Sequence, residues 1–387
     1  MNKYLIILGF VGTAIFSACS SDDLTTVPSL EKERALVVEA GKDSDIPIIL
    51  GSIGNGRAVT RTPLESTEFQ IPDGYLSVYC LATGIQAGAP NISAIPGSDD
   101  DIVWNDLNNI ANWLVNKPAI VSYYSGTGAS PISGVSGPYS YIQFWKDGDV
   151  KERFYPFGNW YSYDFFAYYP RVADANTSYS ESGKTCFANI TIDGSKDVIW
   201  GHASGSDEGF SAKYMRLNPT TVPEFEFNHL LTQLVFYVRP HDESVSQLQT
   251  DGIKVTELKM KVYKKLKLIV ASKDLGLTSG NISELSAYGD MSVWDGDTEF
   301  SGGAIPVVSA SYNPSDESTH KTFVGYAMVP PSNTYTVKLK VEDGSSNPYY
   351  NPADDNVDED GYRIIDLTGT FLAGCKYEII LDIYSNI

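Results

Sequence analysis

The sequence predicts an all-β protein with a minor helix, built as β-sandwiches. Three observations carry this. Runs rich in Tyr, Thr, Val and Ile recur along the chain, separated by Gly, Pro, Asn, Asp and Ser, which is the pattern of strands and turns. Aromatic residues are abundant, 25 of them tyrosine, and they suit half-buried pleated surfaces. Many short strands with frequent turn signals favour sandwiches over helical layers. At 387 residues the chain is long enough for about two domains, each able to bury a core.

The N-terminus is an address. Lys3 precedes an apolar run from Leu5 to Phe16, and the small residues Ser17-Ala18 follow. This is the layout of a secretory signal, and it is shorter than the roughly 20 residues a bilayer span needs. Cys19 directly after Ser17-Ala18 resembles a bacterial lipobox, in which the thiol is acylated and becomes the new N-terminus. Residues 1–18 are therefore expected to be removed, and lipid on Cys19 would anchor the chain to a membrane. Residues 19–45 are polar and read as a tether.

The first strand expected is Ile46 to Ile53. Pro47 has no N–H, so the strand should start there or lie at a sheet edge. Ile46, Ile48 and Leu50 alternate as its apolar side chains. Gly54-Asn55-Gly56 ends it, and Arg57 and Arg61 fall in the loop that follows. Tyr75 to Leu81 alternates cleanly, with Leu76, Val78 and Cys80 on one side. Asp101 to Val115 has apolar residues at helical spacing and is the expected helix. Ser125 to Pro138 is a loop, and Tyr163 to Tyr169 is a strand ended by Pro170. Pro219 to Pro223 marks a boundary, giving units at 46–223 and 224–387. Beyond it, Phe225 to Val238 reads as one long strand. Val255 to Val262 and Leu266 to Ala271 read as a strand pair. Strands at Val293-Trp294, 323–329, 334–341, 364–367 and 377–383 complete a β-rich second half.

Composition and motifs restrict the chemistry. A formal charge of −20 argues against a nucleic-acid partner, which needs a basic face, and fits a soluble surface. His202, His229, His241 and His320 show no metal-ligand spacing. The chain lacks a G-x-S-x-G elbow and a P-loop, and its many carboxylates single out no glycosidase pair. No catalytic residue, metal site or cofactor is expected. Asn356, Asp358, Asp360 and Gly361 begin like a calcium loop, but the twelfth position is Leu367 instead of a bidentate Glu, so a solvated hairpin is the better reading. Beyond Cys19, the cysteines Cys80, Cys186 and Cys375 are odd in number and read as small buried hydrophobes. Trp104, Trp145, Trp160, Trp200 and the clusters Tyr123-Tyr124 and Tyr139–Tyr141 could stack on sugars, although core packing explains them as well.

Several stretches, in order, resemble the fimbrillin family, the subunits of Bacteroidetes type V pili and their relatives. They are the lipobox at Cys19, the strand before Arg57 and Arg61, and Phe69 to Leu81 with Asp73-Gly74. Phe165-Phe166-Ala167-Tyr168-Tyr169-Pro170, Asp197 to Trp200, Phe227 to Leu234 and Phe371 to Ile379 follow. Ser20-Ser21-Asp22-Asp23 also resembles the surface-export signal of lipoproteins of that phylum. The resemblance implies two tandem transthyretin-like β-sandwich domains. It implies outer-membrane localisation as a lipoprotein precursor, cleavage at Arg57 or Arg61, and loss of the first strand carrying Ile46, Ile48 and Leu50. Another pilus subunit's strand would then fill the groove, by strand addition. No segment follows the strand ending at Ile383 that could be donated, so a tip or accessory role in adhesion is expected. The partners implied are other subunits and a host or bacterial surface ligand. A surface glycan-binding lipoprotein that keeps its Cys19 lipid is the alternative, and a β-sandwich glycoside hydrolase would need two facing carboxylates.

Overall fold

The computed structural model describes residues 48–52, 75–85, 114–132, 136–137, 139–146, 148–150, 161–180, 185–204, 210–218, 221–272, 280–296, 298–300, 303–350 and 356–385. Its strands are β1 (Leu50–Ser52), β2 (Leu76–Ile85), β3 (Leu114–Tyr124), β4 (Tyr139–Lys146), β5 (Asp149–Val150), β6 (Tyr161–Tyr169), β7 (Thr177–Ser180), β8 (Thr185–Thr191), β9 (Ile199–Ser204) and β10 (Glu224–His229). There follow β11 (Thr232–Pro240), β12 (Lys254–Ser272), β13 (Ile282–Ser292), β14 (Trp294–Asp295), β15 (Thr298–Glu299), β16 (Ile305–Pro306), β17 (Thr322–Val329), β18 (Ser332–Glu342), β19 (Arg363–Phe371) and β20 (Lys376–Ile383). Among the described residues two short α-helices interrupt them, α1 (Ala212–Leu217) and α2 (Val245–Thr250). Ser211 caps α1 by accepting from the Tyr214 N–H. The fold is all-β and sandwich-like, as the composition predicts.

The first sheet runs β1-β10-β9-β6-β2-β3-β4-β5, and β1 also pairs with β4. Seven of these strands therefore form a closed ring. Pairs on the face that carries Val78, Ala167, Cys80 and Phe165 are fully buried. The opposite face, with Tyr79, Phe166, Tyr168 and Trp200, is buried too. It packs towards β8 and β12: the Trp200 indole N–H donates to the Val270 carbonyl at 2.7 Å. A strand buried on both faces has no polar side to show, which explains why β2 and β6 are mostly apolar, with Ser77 and Asp164 as buried polar exceptions.

The remaining strands build two sheets. One runs β15-β14-β17-β11-β20 and the other β19-β18-β12-β8-β7, with β13 and β16 added to β12. On β11, Leu234, Phe236 and Val238 alternate into the core between them. The same contiguous cluster includes Leu50, Phe165, Leu268 and Val337.

Two expectations are corrected. Phe225 to Val238 is two strands in different sheets, because the chain turns at Leu230-Leu231, where the Leu230 N–H donates to the Val198 carbonyl. Val255–Val262 and Leu266–Ala271 are one 19-residue strand, β12; Tyr263-Lys264-Lys265 contains no turn residue to separate them. The helix expected at Asp101–Val115 lies outside the described residues except at its end, where Leu114 and Val115 already belong to β3. The division expected at residue 223 falls just before β10, which joins β9 and β1 in the first sheet, while β8 pairs with β12. Strand pairing crosses that position in both directions.

Candidate functional site

The site singled out by sequence is the first strand and the loop after it. Cys19, Ile46, Arg57 and Arg61 lie outside the described residues. Ile48 and Leu50 lie within them and are buried, Leu50 completely. Pro47 led us to expect a strand start or a sheet edge. Instead β1 begins three residues later and is flanked on both sides. It runs antiparallel to β4, with Leu50 opposite Ile142, Gly51 opposite Tyr141 and Ser52 opposite Ser140. It runs parallel to β10, with Gly51 opposite Glu224 and Ser52 opposite Phe225. The Gly51 N–H donates to the Pro223 carbonyl at 2.8 Å.

Gly51 is small for a local reason. A Cβ there would stand 3.0 Å from Val222 Cγ2 and 3.3 Å from Glu224 Cγ. The slot between β4 and β10 therefore accepts an apolar side chain at position 50 and almost none at position 51. Only three residues of strand close the ring. If β1 left, β4 and β10 would each present unpaired backbone groups, which bind another strand readily.

A polar cluster that the sequence did not reveal holds the neighbouring strands. Asn116, in β3, is buried and sits at φ 50°. Its Oδ1 accepts from Ser77 Oγ at 2.6 Å and Tyr168 Oη at 2.9 Å. Its Nδ2 donates to Asp174 Oδ1 at 2.6 Å and to the Val172 carbonyl at 3.1 Å, and Arg171 Nε donates to its carbonyl. One amide thus ties β2, β3 and β6 together. Asparagine tolerates the left-handed region, so the only sequence signal was a polar residue amid a strand-forming run. Burial pushes the Tyr168 phenol above its ordinary pKa, against hydrogen bonds that lower it. Burial likewise raises the Cys80 thiol, and takes Cys186 up to about 12.

The other sequence candidates sit as follows. Trp200 is core. Trp145 is half-buried against exposed Tyr75, with ring centroids 6.3 Å apart. Tyr139 packs on both Tyr124 and Tyr141, and Tyr123 is exposed. Trp104 and Trp160 lie outside the described residues. In the acidic hairpin the Asp358 carboxylate is occupied: Lys338 Nζ stands 2.9 Å away, and the Asp360 and Tyr362 N–H groups donate to it. His229 pairs with Asp197, whose carboxyl burial raises and this bond lowers. That pair ties the end of β10 to the start of β9.

A family model described as fimbrillin-like matches residues 124–383, more than half of the 387 residues. The chain belongs to the fimbrillin-like family. No curated protein matches this fimbrillin-like chain. Among solved structures it is similar to a candidate cell adhesion protein of Bacteroides uniformis, at 12% identity and a TM-score of 0.41, covering 88% of this chain and 92% of that one. A candidate cell adhesion protein of Bacteroides ovatus stands at 10% identity and a TM-score of 0.42, covering 88% and 92%. A fimbrial assembly protein of Parabacteroides distasonis stands at 8% identity and 0.33, covering 87% and 90%.

Proposed function

We propose that this chain is a pilus subunit that supports cell adhesion, placed at a tip or in an accessory position. It is exported as a lipoprotein acylated on Cys19 and held at the outer membrane as a precursor. Cleavage at Arg57 or Arg61 frees the segment that includes Ile46, Ile48 and Leu50, and a strand of another subunit takes its place. The observation that carries this reading is β1 itself: a three-residue strand that seals two sheet edges at once. Arg57 and Arg61 follow Ser52 by five and nine positions, so cleavage there would fall just past this strand. Family membership supports the pilus assignment. For the tip or accessory position the support is β20, paired along its length with β11 and burying Leu381 and Ile383. A strand so engaged in its own core favours receiving a partner's strand over donating this one.

N-terminal sequencing of protein sheared from the cell surface tests the route. Starts at Ala58 or Thr62 are expected, and the Arg57→Ala, Arg61→Ala double variant should stay at Cys19. A start at Cys19 in every assembled molecule overturns it.

A further inference from the structure

The geometry points to a binding cleft for a neutral glycan at one end of the five-stranded sheet. This goes beyond strand exchange and does not depend on it. The C-terminal ends of the parallel pair β11 and β20 meet the start of β17 there. Residues 313–320 fold over the sheet beside them. The half-open cleft has a volume of about 560 Å³, inside the roughly 300–1,000 Å³ range of small-molecule sites.

Its lining is mainly polar, with Ile380 and the Tyr384 ring as its exposed apolar surfaces. Ile380 is 39% exposed and Tyr384 57%, large for apolar side chains at a concave surface. The Tyr384 ring stacks on His241 at 4.3 Å and 25°. Across the cleft His320 stacks on Tyr312 at 4.9 Å and 24°. The Tyr384 wall is fixed before any ligand arrives: the His241 N–H donates to the Ile383 carbonyl, Tyr349 Oη to the Tyr384 carbonyl, and the Ser385 N–H to Ser244 Oγ. Pre-organised walls reduce the ordering cost of binding.

Charge selects the ligand class. Both the arginine and the lysine of the lining are already neutralised: Arg239 is bidentate to Asp382 at 2.6 and 2.9 Å, and Lys321 Nζ lies 2.6 Å from Glu378. Asp242 and Glu317 add further carboxylates to the wall. An anionic ligand would meet no unpaired arginine or lysine in the lining, and extra carboxylates. A neutral polyhydroxylated ring fits: its C–H face covers Tyr384 and Ile380, and vicinal hydroxyls meet the Arg239–Asp382 pair. Arginine has five N–H donors, of which Asp382 takes two, and a carboxylate accepts at about four lone-pair sites.

The test uses the full chain on an array of neutral and sialylated oligosaccharides, then calorimetry with the best neutral hit. Binding to neutral glycans is expected, and Tyr384→Ala and Asp382→Asn should each weaken it at least tenfold, with Trp145→Phe unchanged. The array is read on unprocessed protein, so its result is separate from the fate of β1. No neutral glycan bound at millimolar ligand, a preference for sialylated over neutral glycans, or full affinity in both cleft variants with unchanged melting would each overturn the proposal.

Discussion

Replacing Leu50 with alanine tests whether β1 seals the ring or merely lies against it. Leu50 is fully inaccessible, faces Ile142 across the β4 ladder and belongs to the continuous core. Truncation removes three carbons, worth about 2.4 kcal/mol at roughly 0.8 kcal/mol each. The cavity adds to this, because β4 and β10 hold β1 from both sides and limit collapse. Leu→Ala substitutions in cores span about 2–5 kcal/mol, and a loss of about 3–4 kcal/mol is expected here. That is a large part of a stability of about 5–15 kcal/mol. The assay is urea unfolding followed by the fluorescence of buried Trp200, which lies on β9 of the same ring. Leu217→Ala is the control, since Leu217 is 71% exposed and its loss should stay within about 0.5 kcal/mol. A Leu50→Ala effect below about 1 kcal/mol, or no larger than the control, would show that the strand does not close the sheet and would refute the reasoning.

Gly201→Ala should lower stability by about 1–3 kcal/mol through overpacking, because its Cβ would stand 2.7 Å from Phe227 Cδ1 and 2.9 Å from the Glu226 carbonyl oxygen; a thermal melt at or above wild type counts against the packing described. Asn116→Ala strands the Ser77 and Tyr168 hydroxyls inside the sheet, and a loss of about 2–5 kcal/mol is expected from denaturant titration. Alkali should also destabilise the fold. The Cys186 thiol ionises near 9 in the unfolded chain and is raised by burial to about 12 in the native one, so the unfolded state releases its proton first. The stability it contributes is whole below about 9 and is lost as pH rises towards about 12. Cys186→Ala should flatten that fall, measured as denaturation midpoints from about pH 8 to about pH 11; an unchanged slope sinks the assignment.

Strands with clear alternation and flanking turn residues were legible in the sequence. Thr334–Val341 and Tyr377–Ile383 match β18 and β20 to within two residues, because period-2 burial leaves its mark directly on residue type; Tyr163–Tyr169 matches β6 equally well through its aromatic run and Pro170, since that strand is buried on both faces. Sequence failed where tertiary contacts decide. Leu230-Leu231 carries no turn signal, yet the chain changes sheets there; an apolar pair looks the same in one strand or between two. Pro47 suggested an edge, because a missing N–H limits pairing only locally, and β1 starts beyond it. Of the candidate site, Ile48 and Leu50 were identifiable by alternation as apolar side chains of one strand, and both are buried. That their slot has two walls is a non-local fact, fixed by Ser140–Ile142 and Glu224-Phe225, far away in sequence. The Asn116 cluster and the Tyr384 cleft were equally hidden, since each gathers residues from at least three elements.

The two walls of the β1 slot are not equivalent: one ladder is antiparallel and the other parallel. A strand inserted in reverse would swap both pairings and shift the carbonyls and N–H groups it offers to each side. The two orientations of an occupant would therefore not be equivalent. An assembly built by filling such slots would have a head and a tail at every joint, and the direction of growth would be written into each subunit by the unlike edges of a three-residue gap.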